Sequence, residues 1–172
     1  MEKKINLRWV VMGVSGAGKS EIGARLAAAL GVPFLEGDSF HPEVNVTKMS
    51  AGIPLNDDDR AGWLQKLRDE ISAARERGEG LVLSCSSLKR RYRDLLRSGD
   101  PDLCFAHLHG EREILEQRMR TRPGHYMPAS LLESQLRDLE PLQADECGVR
   151  LDLTQPPEQL VGTILQTQKQ QA

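Results

Sequence analysis

The segment Gly13–Ser20 constrains this chain more than any other, because it reads G-V-S-G-A-G-K-S and matches the pattern G-x-x-x-x-G-K-S in full. It follows the apolar run Leu7–Met12 and precedes an amphipathic helical pattern over residues 22–29. Glycines let backbone N–H groups surround an anion, and a helix N-terminus adds partial positive charge. A glycine-rich turn without a ligand is the alternative, but this strand and helix context favours a loop that binds a nucleoside triphosphate.

Candidate nucleotide-binding residues begin in this loop. Lys19 is expected to reach the β- and γ-phosphates, and the Ser20 hydroxyl is expected to hold Mg²⁺. Lys19 also belongs to the candidate catalytic residues. The candidate nucleotide-binding set in and after the loop is Gly13, Ser15, Gly16, Ala17, Gly18, Lys19, Ser20 and Glu21.

Short apolar runs alternate with helical patterns along the chain, which favours βαβ units and a parallel sheet. Ligands of such folds lie at the carboxyl ends of the strands. The chain of 172 residues suits one domain, residues 1–172. The predicted strands are Leu7–Met12, Pro33–Leu35, Leu81–Cys85, Leu103–Leu108 and Val149–Leu153.

The charge of the chain argues against some partners. Its 23 basic and 25 acidic residues give a net charge of −2, which does not suit a protein held on nucleic acid or on an anionic membrane. The longest apolar runs fall far short of the ~20 residues that span a bilayer, and the N-terminus lacks the pattern of a signal peptide. Half of the arginines lie between Arg90 and Arg122, and this cluster is expected to handle phosphate and carboxylate groups.

The cysteines indicate the compartment. Cys85, Cys104 and Cys147 are odd in number and widely spaced, without a C-x-x-C pair. We therefore expect reduced, buried thiols, no disulfide and no zinc site, and a cytoplasmic location.

The triphosphate loop alone does not define the reaction. No N-K-x-D stretch is present to read guanine, and Leu81–Cys85 ends without the acidic residue of a standard Walker B strand. A second metal ligand must come from elsewhere or act through water. Asp38, just after the second predicted strand, could orient a substrate hydroxyl, accept its proton or hold Mg²⁺ through water. Glu36 is expected to be a surface residue at the strand edge.

A longer set of residues resembles the gluconate kinases (gluconokinases) from about Trp9 to Leu165. The selective part is the stretch from Gly37 to Leu64, with further matches at Cys85-Ser86, Leu88-Lys89-Arg90, Tyr92-Arg93, Gly124-His125, Leu131-Leu132, Ser134-Gln135 and Leu139-Glu140 to Asp145-Glu146. The resemblance implies an α/β P-loop NTPase fold of the adenylate-kinase type, with a central five-stranded parallel sheet flanked by helices and a small lid. It also implies ATP and Mg²⁺ as cofactors, phosphorylation of D-gluconate at its 6-hydroxyl, and a homodimer. One departure is Gly62, where many relatives carry proline before Trp63.

A sugar acid needs cations for its carboxylate and polar groups along its hydroxyls. His41, Asn45 and Lys48 share a face if residues 42–49 are helical, although a solvated polar face would look the same. With the resemblance, these three residues and Arg60 are candidate substrate-binding residues, as is His125. Lys89 and Arg93 are also candidate substrate-binding residues, because residues four apart share one face of a helix. Arg90 and Arg91 are expected to face solvent.

Arginines also precede the Pro- and Gly-bounded loop over residues 123–128, which predicts a lid at approximately residues 120–130. By resemblance, Arg118 lies against adenine, and Arg122 approaches the phosphates as a third catalytic candidate beside Lys19 and Asp38. Pro156, after the last strand, is expected to line the adenine pocket. Two alternatives stay open: another small-molecule kinase of the shikimate- or nucleotide-kinase type, and a nucleotide switch without acceptor chemistry.

Overall fold

β1 (Arg8–Met12) lies at the centre of a five-stranded sheet in the computed structural model, which describes residues 7–121 and 129–171. The other strands are β2 (Phe34–Glu36), β3 (Leu81–Ser84), β4 (Cys104–His109) and β5 (Gly148–Asp152). Their order is β2-β3-β1-β4-β5, and all four pairings are parallel. The predicted parallel sheet is confirmed, and its carboxyl ends meet along one edge.

The helices follow the strands in the alternation expected of βαβ units. They are α1 (Lys19–Leu30), α2 (Glu43–Ser50), α3 (Asp57–Glu76), α4 (Arg90–Arg97), α5 (Arg112–Thr121), α6 (Ala129–Asp138) and α7 (Pro157–Gln171). A short 3₁₀ helix over Gly37–Phe40 follows β2. None of the described helices has both the length and the apolarity needed to cross a membrane.

The central strands β1, β3 and β4 are buried on both faces, which explains why they read as continuous apolar runs. Trp9 and Val11 of β1 point into a core formed with α1 and α7. Val10 and Met12 point to the opposite face, where α3 and α4 pack. Helices on both faces therefore hold the ends of β1 and β2 in fixed positions.

Local contacts set two element boundaries. β2 begins and ends one residue later than expected, because Glu36 pairs with Ser84 in the β2–β3 register. The acidic run at residues 57–59 forms the first turn of α3. Asn56 caps α3 by accepting from Asp59 N at 2.8 Å, and the Asp59 side chain accepts in return from Asn56 N at 3.0 Å.

The prediction that no cysteine is bridged is wrong. Cys104 and Cys147 form a disulfide, with their Cα atoms 4.8 Å apart. The sequence separation of 43 residues hides the contact, but Phe105 faces Gly148 across β4 and β5, so the preceding cysteines are also neighbours. Cys85 is free and buried as expected, and burial raises the pKa of its thiol to about 11.

Candidate active site

The loop over residues 13–18 connects the carboxyl end of β1 to the start of α1. Gly16 and Gly18 have φ angles of +84° and +91°, a region that residues with a Cβ rarely adopt. A Cβ at Gly16 would also lie 3.0 Å from the carbonyl oxygen of Leu115. The loop therefore requires these glycines, and it ends at the N-terminus of a 12-residue helix, a location suited to anions.

Lys19 and Ser20 open α1 and place a cation and a hydroxyl beside this loop. Lys19 Nζ donates to the carbonyl oxygen of Val14 at 3.0 Å, which holds the ammonium group across the loop. Ser20 Oγ donates to the carboxylate of Glu36. From these positions Lys19 can meet phosphate and Ser20 can meet a metal ion, and both roles stay predictions.

Glu36 is not the surface residue that the sequence suggested. Its carboxylate accepts from Ser20 Oγ on one side and from Ser84 Oγ, at 2.5 Å, on the other. Ser84 in turn accepts from Gly37 N at 3.2 Å, so the end of β3 fixes the carboxylate at the end of β2. An acidic residue is thus present beside the loop, although it comes from β2 and not from the strand that a standard Walker B motif would use.

Asp38 lies in the 3₁₀ helix after β2, at the same edge of the sheet. Its side chain is 57% exposed and opens into a pocket that also receives Lys19. We call this cavity the Asp38 pocket; its described lining includes Ser15, Lys19, Asp38, His41, Arg60 and Trp63. The structure thus brings together the two described candidates for catalysis.

His41 forms one wall of the Asp38 pocket and is held from two sides. Its ring stacks on Trp63, with 4.0 Å between centroids and 18° between planes. Its Nδ1 lies 3.2 Å from Asn45 Nδ2, and its Nε2 lies 3.9 Å from Asp38 Oδ1. Burial lowers the pKa of His41; the Asp38 carboxylate opposes that shift and the Arg60 guanidinium adds to it.

Arg60 supplies a cation to the same pocket from α3. It is buried, and its Nη1 donates to Tyr92 Oη at 3.1 Å and to Asp138 Oδ2 at 3.2 Å. These partners come from α4 and α6, so three helices fix the guanidinium. Arg60 is therefore available to an anionic group of a ligand without needing to be ordered first.

Two of the predicted substrate-binding lysines have other partners in the structure. Lys48 Nζ lies 2.8 Å from Asp59 Oδ1 and so joins α2 to the start of α3. Lys89 Nζ lies 3.1 Å from Asp57 Oδ1 and joins the start of α4 to the same helix. Neither lysine belongs to the described lining of the Asp38 pocket. Their acidic partners lie at the capped start of α3, and the pairings are set by how the helices pack.

Arg93 is directed into the protein interior, contrary to its predicted place at the substrate. It is fully buried; Nε donates to Glu146 Oε2 and Nη1 to the carbonyl oxygen of Ser87, each at 2.9 Å. Burial of an arginine requires such a partner, so this guanidinium is committed to holding the β3–α4 loop against the segment before β5. Arg90, expected in solvent, pairs with Asp145 at 2.7 Å, and Arg91 pairs with Asp57.

A second cavity, which we call the Arg118 pocket, borders the loop. Its described lining includes Gly16, Ala17, Gly18, Glu21, Arg118 and Gln155. Arg118 Nη2 donates to the carbonyl oxygen of Leu153 at 2.9 Å, which ties α5 to the end of β5. This is where the sequence placed adenine. Pro156 itself is not in the described lining, but its neighbours Gln155 and Pro157 are.

Gln135 of α6 lies at the site, although it was not a predicted site residue. Its Oε1 accepts from Ser15 N at 2.8 Å, and its side chain lines the Asp38 pocket. In the sequence, the only indication of a role for Gln135 is that the pair Ser134-Gln135 resembles the gluconokinases. The predicted catalytic residue Arg122, the predicted substrate residue His125 and most of the predicted lid lie outside the described residues.

Comparisons with known proteins agree with this geometry. A family described as shikimate kinase matches residues 15–167. The thermoresistant gluconokinase of Escherichia coli K12 is 42% identical over 162 residues, which cover 94% of this chain and 93% of that protein. The gluconokinase of Gluconobacter oxydans 621H is 47% identical over 149 residues, covering 87% of this chain and 84% of its own.

Solved structures give the same result. A gluconokinase from Sinorhizobium meliloti 1021 superposes with a TM-score of 0.89 at 44% identity and covers 99% of this chain and 95% of its own. Shikimate kinase from Aquifex aeolicus superposes with a TM-score of 0.60 at 17% identity, and that likeness shows the P-loop kinase fold alone. By the match to the shikimate kinase family and by its identity to curated relatives over most of its length, this chain belongs to the gluconokinases, a group of P-loop kinases.

Proposed function

We propose that this chain transfers the γ-phosphoryl group of ATP to the 6-hydroxyl of D-gluconate. The observation that carries the proposal is the Asp38 pocket, where Lys19 and Asp38 face one cavity at the ends of β1 and β2. Relatives named gluconokinase, similar over most of the chain, support the choice of gluconate as acceptor.

The nucleotide is assigned to the loop and the Arg118 pocket. The loop and the N-terminus of α1 suit the phosphates, and Lys19 supplies a cation for their charge. The Arg118 pocket adjoins the same loop, and the nucleoside is assigned to it, beside Arg118 and Gln155.

Ser20 and Glu36 fit a Mg²⁺ ion, because they bring a hydroxyl and a carboxylate together beside the loop, and Mg²⁺ prefers such oxygen ligands. When bound there, Mg²⁺ neutralises charge on the phosphates. Ser20 would be a direct ligand, and Glu36 would orient Ser20 or a water. This leaves Asp38, two residues on, for the acceptor hydroxyl, although its alternative role as a metal ligand through water stays open.

The acceptor is assigned to the inner part of the Asp38 pocket. Arg60 offers its fixed guanidinium to a carboxylate, while His41 and Asp38 offer a ring nitrogen and a carboxylate to hydroxyl groups. Asp38 can orient the reacting hydroxyl or take its proton, and holding that hydroxyl in line with the phosphoryl group supplies much of the rate. The dimer implied by the resemblance and the cytoplasmic location stay predictions.

A panel of acceptors tests the substrate. ADP release is measured with ATP and Mg²⁺ in the presence of D-gluconate, shikimate, a nucleoside monophosphate or no acceptor. We expect release to depend on D-gluconate. Turnover with shikimate or a nucleoside monophosphate instead would assign the chain to another kinase activity, and release indifferent to every acceptor would favour a nucleotide switch.

A further inference from the structure

Asn45 connects the wall of the Asp38 pocket to the start of α3. Its side chain is buried, with 1% of the residue exposed. Its Nδ2 donates to the carbonyl oxygen of Asp59 at 2.8 Å and lies 3.2 Å from His41 Nδ1. One amide nitrogen therefore faces both groups, and an amide nitrogen carries two hydrogens and accepts none.

These two contacts determine the protonation of the His41 ring. A carbonyl oxygen can only accept, so the amide must present Nδ2, and not Oδ1, to Asp59. The same Nδ2 then donates its second hydrogen to His41, whose Nδ1 must be the acceptor. The proton of a neutral ring in this position is on Nε2, the nitrogen that faces Asp38.

We infer that Asn45 is a positioning residue that holds His41 as the neutral Nε2–H tautomer, and that this N–H donates to the substrate hydroxyl that Asp38 also contacts. The distance of 3.9 Å from Nε2 to Asp38 Oδ1 is too long for a direct hydrogen bond. A hydroxyl oxygen can lie within reach of both groups, accepting from Nε2–H and donating to the carboxylate. The inference about the hydroxyl rests on the proposed function.

The surroundings of His41 agree with a neutral ring. Trp63 covers one face and removes it from water, and Arg60 on α3 disfavours a second positive charge. Lys19 of α1 lines the same pocket and adds a further cation. Asp38 is the acidic group that opposes these effects, and its side chain is more than half exposed, which weakens its attraction.

Nitrogen-15 NMR of the His41 ring measures which ring nitrogen carries the proton and does not require catalysis. The chain has four histidines, so the His41 signals are identified as those lost in His41→Gln. At neutral pH we expect Nε2 to bear the proton and Nδ1 to be unprotonated. In Asn45→Ala we expect the two tautomers to mix. A proton on Nδ1 or a charged ring in the wild type, or an unchanged tautomer in Asn45→Ala, would overturn the inference.

Two substitutions at His41 test the donor in the reaction. The amide of His41→Gln can reach the position of Nε2, whereas that of His41→Asn reaches only the position of Nδ1. Both lose the stack on Trp63, so each controls for the other. We expect kcat/KM for D-gluconate to be about tenfold higher in His41→Gln than in His41→Asn, the effect of one hydrogen bond. Equal values, with both variants folded by circular dichroism, would remove the role of Nε2–H.

The outcomes separate this inference from the proposed function. If gluconate is not the acceptor, the wild type shows no gluconate-dependent ADP release. The NMR spectrum still tests the tautomer, because it is recorded without substrate. If gluconate is the acceptor and the tautomer is wrong, turnover remains and the ring spectrum contradicts the inference.

Discussion

Glu36 and Asp38 lie two residues apart, yet their carboxylates face different partners. Glu36 is fixed by the hydroxyls of Ser20 and Ser84, whereas Asp38 opens into its pocket with more than half of its side chain exposed. A fixed carboxylate suits a metal ion, and one that faces a cavity suits a substrate group. Burial and hydrogen bonding therefore distinguish two acidic residues that look alike in the sequence.

His107 in β4 links stability to pH. It is 1% exposed, and burial, with the nearby charges of His109, Arg150 and Arg93, lowers its pKa to about 4. Between pH 6.5 and pH 4 the His107 side chain is protonated in the unfolded chain but neutral in the folded protein. Its stabilising contribution is therefore complete above pH 6.5 and is lost as the pH falls toward 4. From pH 7 to pH 5 the wild type should lose about 2 kcal/mol more stability than His107→Gln.

Urea unfolding of the two proteins at both pH values measures this difference. His109→Gln is the control, because His109 lies in the same strand but its side chain is only partly buried. If the wild type and His107→Gln lose the same unfolding free energy between pH 7 and pH 5, His107 is protonated in the folded protein and the prediction is wrong.

The candidate residues that lie at the site as predicted are those whose positions depend on neighbours along the chain. Gly16, Gly18 and Lys19 belong to a contiguous motif, and Asp38 follows directly from the end of a strand. The partners of Arg93 and of Cys104 lie 53 and 43 residues away, and only strand and helix packing brings them together. Glu36 was misjudged because β2 extends one residue further than its apolar run.

At the scale of elements, α3 carries much of the site. Its start is capped by Asn56, its second turn presents Arg60, and Trp63 Nε1 donates to the carbonyl oxygen of Gly37 at 2.8 Å. The central strands β1, β3 and β4 were predicted well because they are buried on both faces and are largely apolar. The direction of each polar helix face could not be predicted, since it depends on which neighbour covers it.

Gly62 weakens α3 without a packing reason. It is exposed in the helix interior, and a Cβ built there meets no described atom within 4 Å. Gly62→Ala should therefore raise the free energy of unfolding by about 0.5–1 kcal/mol, by lowering the backbone entropy of the unfolded chain. Denaturant unfolding measures the change.

Gly37→Ala is the contrasting variant for that experiment. A Cβ at Gly37 would overlap the carbonyl oxygen of Ser84, so we expect this variant to be less stable than the wild type. Destabilisation by Gly62→Ala would contradict the open environment assigned to that position.

At the scale of the whole molecule, the arginine cluster has a different use from the one expected. Arg90, Arg93 and Arg97 form ion pairs with Asp94, Asp145 or Glu146, and so join α4 to the segment before β5. Arg60 and Arg118 are the described arginines that reach the two pockets. Acidic side chains of the same region thus neutralise these arginines, which neither the net charge nor the local composition reveals.

Turnover of Asp38→Asn with ATP, Mg²⁺ and D-gluconate tests the central claim most directly, because it asks whether the acceptor reacts beside Asp38. Affinity for ATP is measured on the same protein. We predict that kcat falls by about 100-fold or more while ATP affinity stays as in the wild type, since the loop and the Arg118 pocket are untouched. A gluconate-dependent kcat equal to that of the wild type would contradict the account.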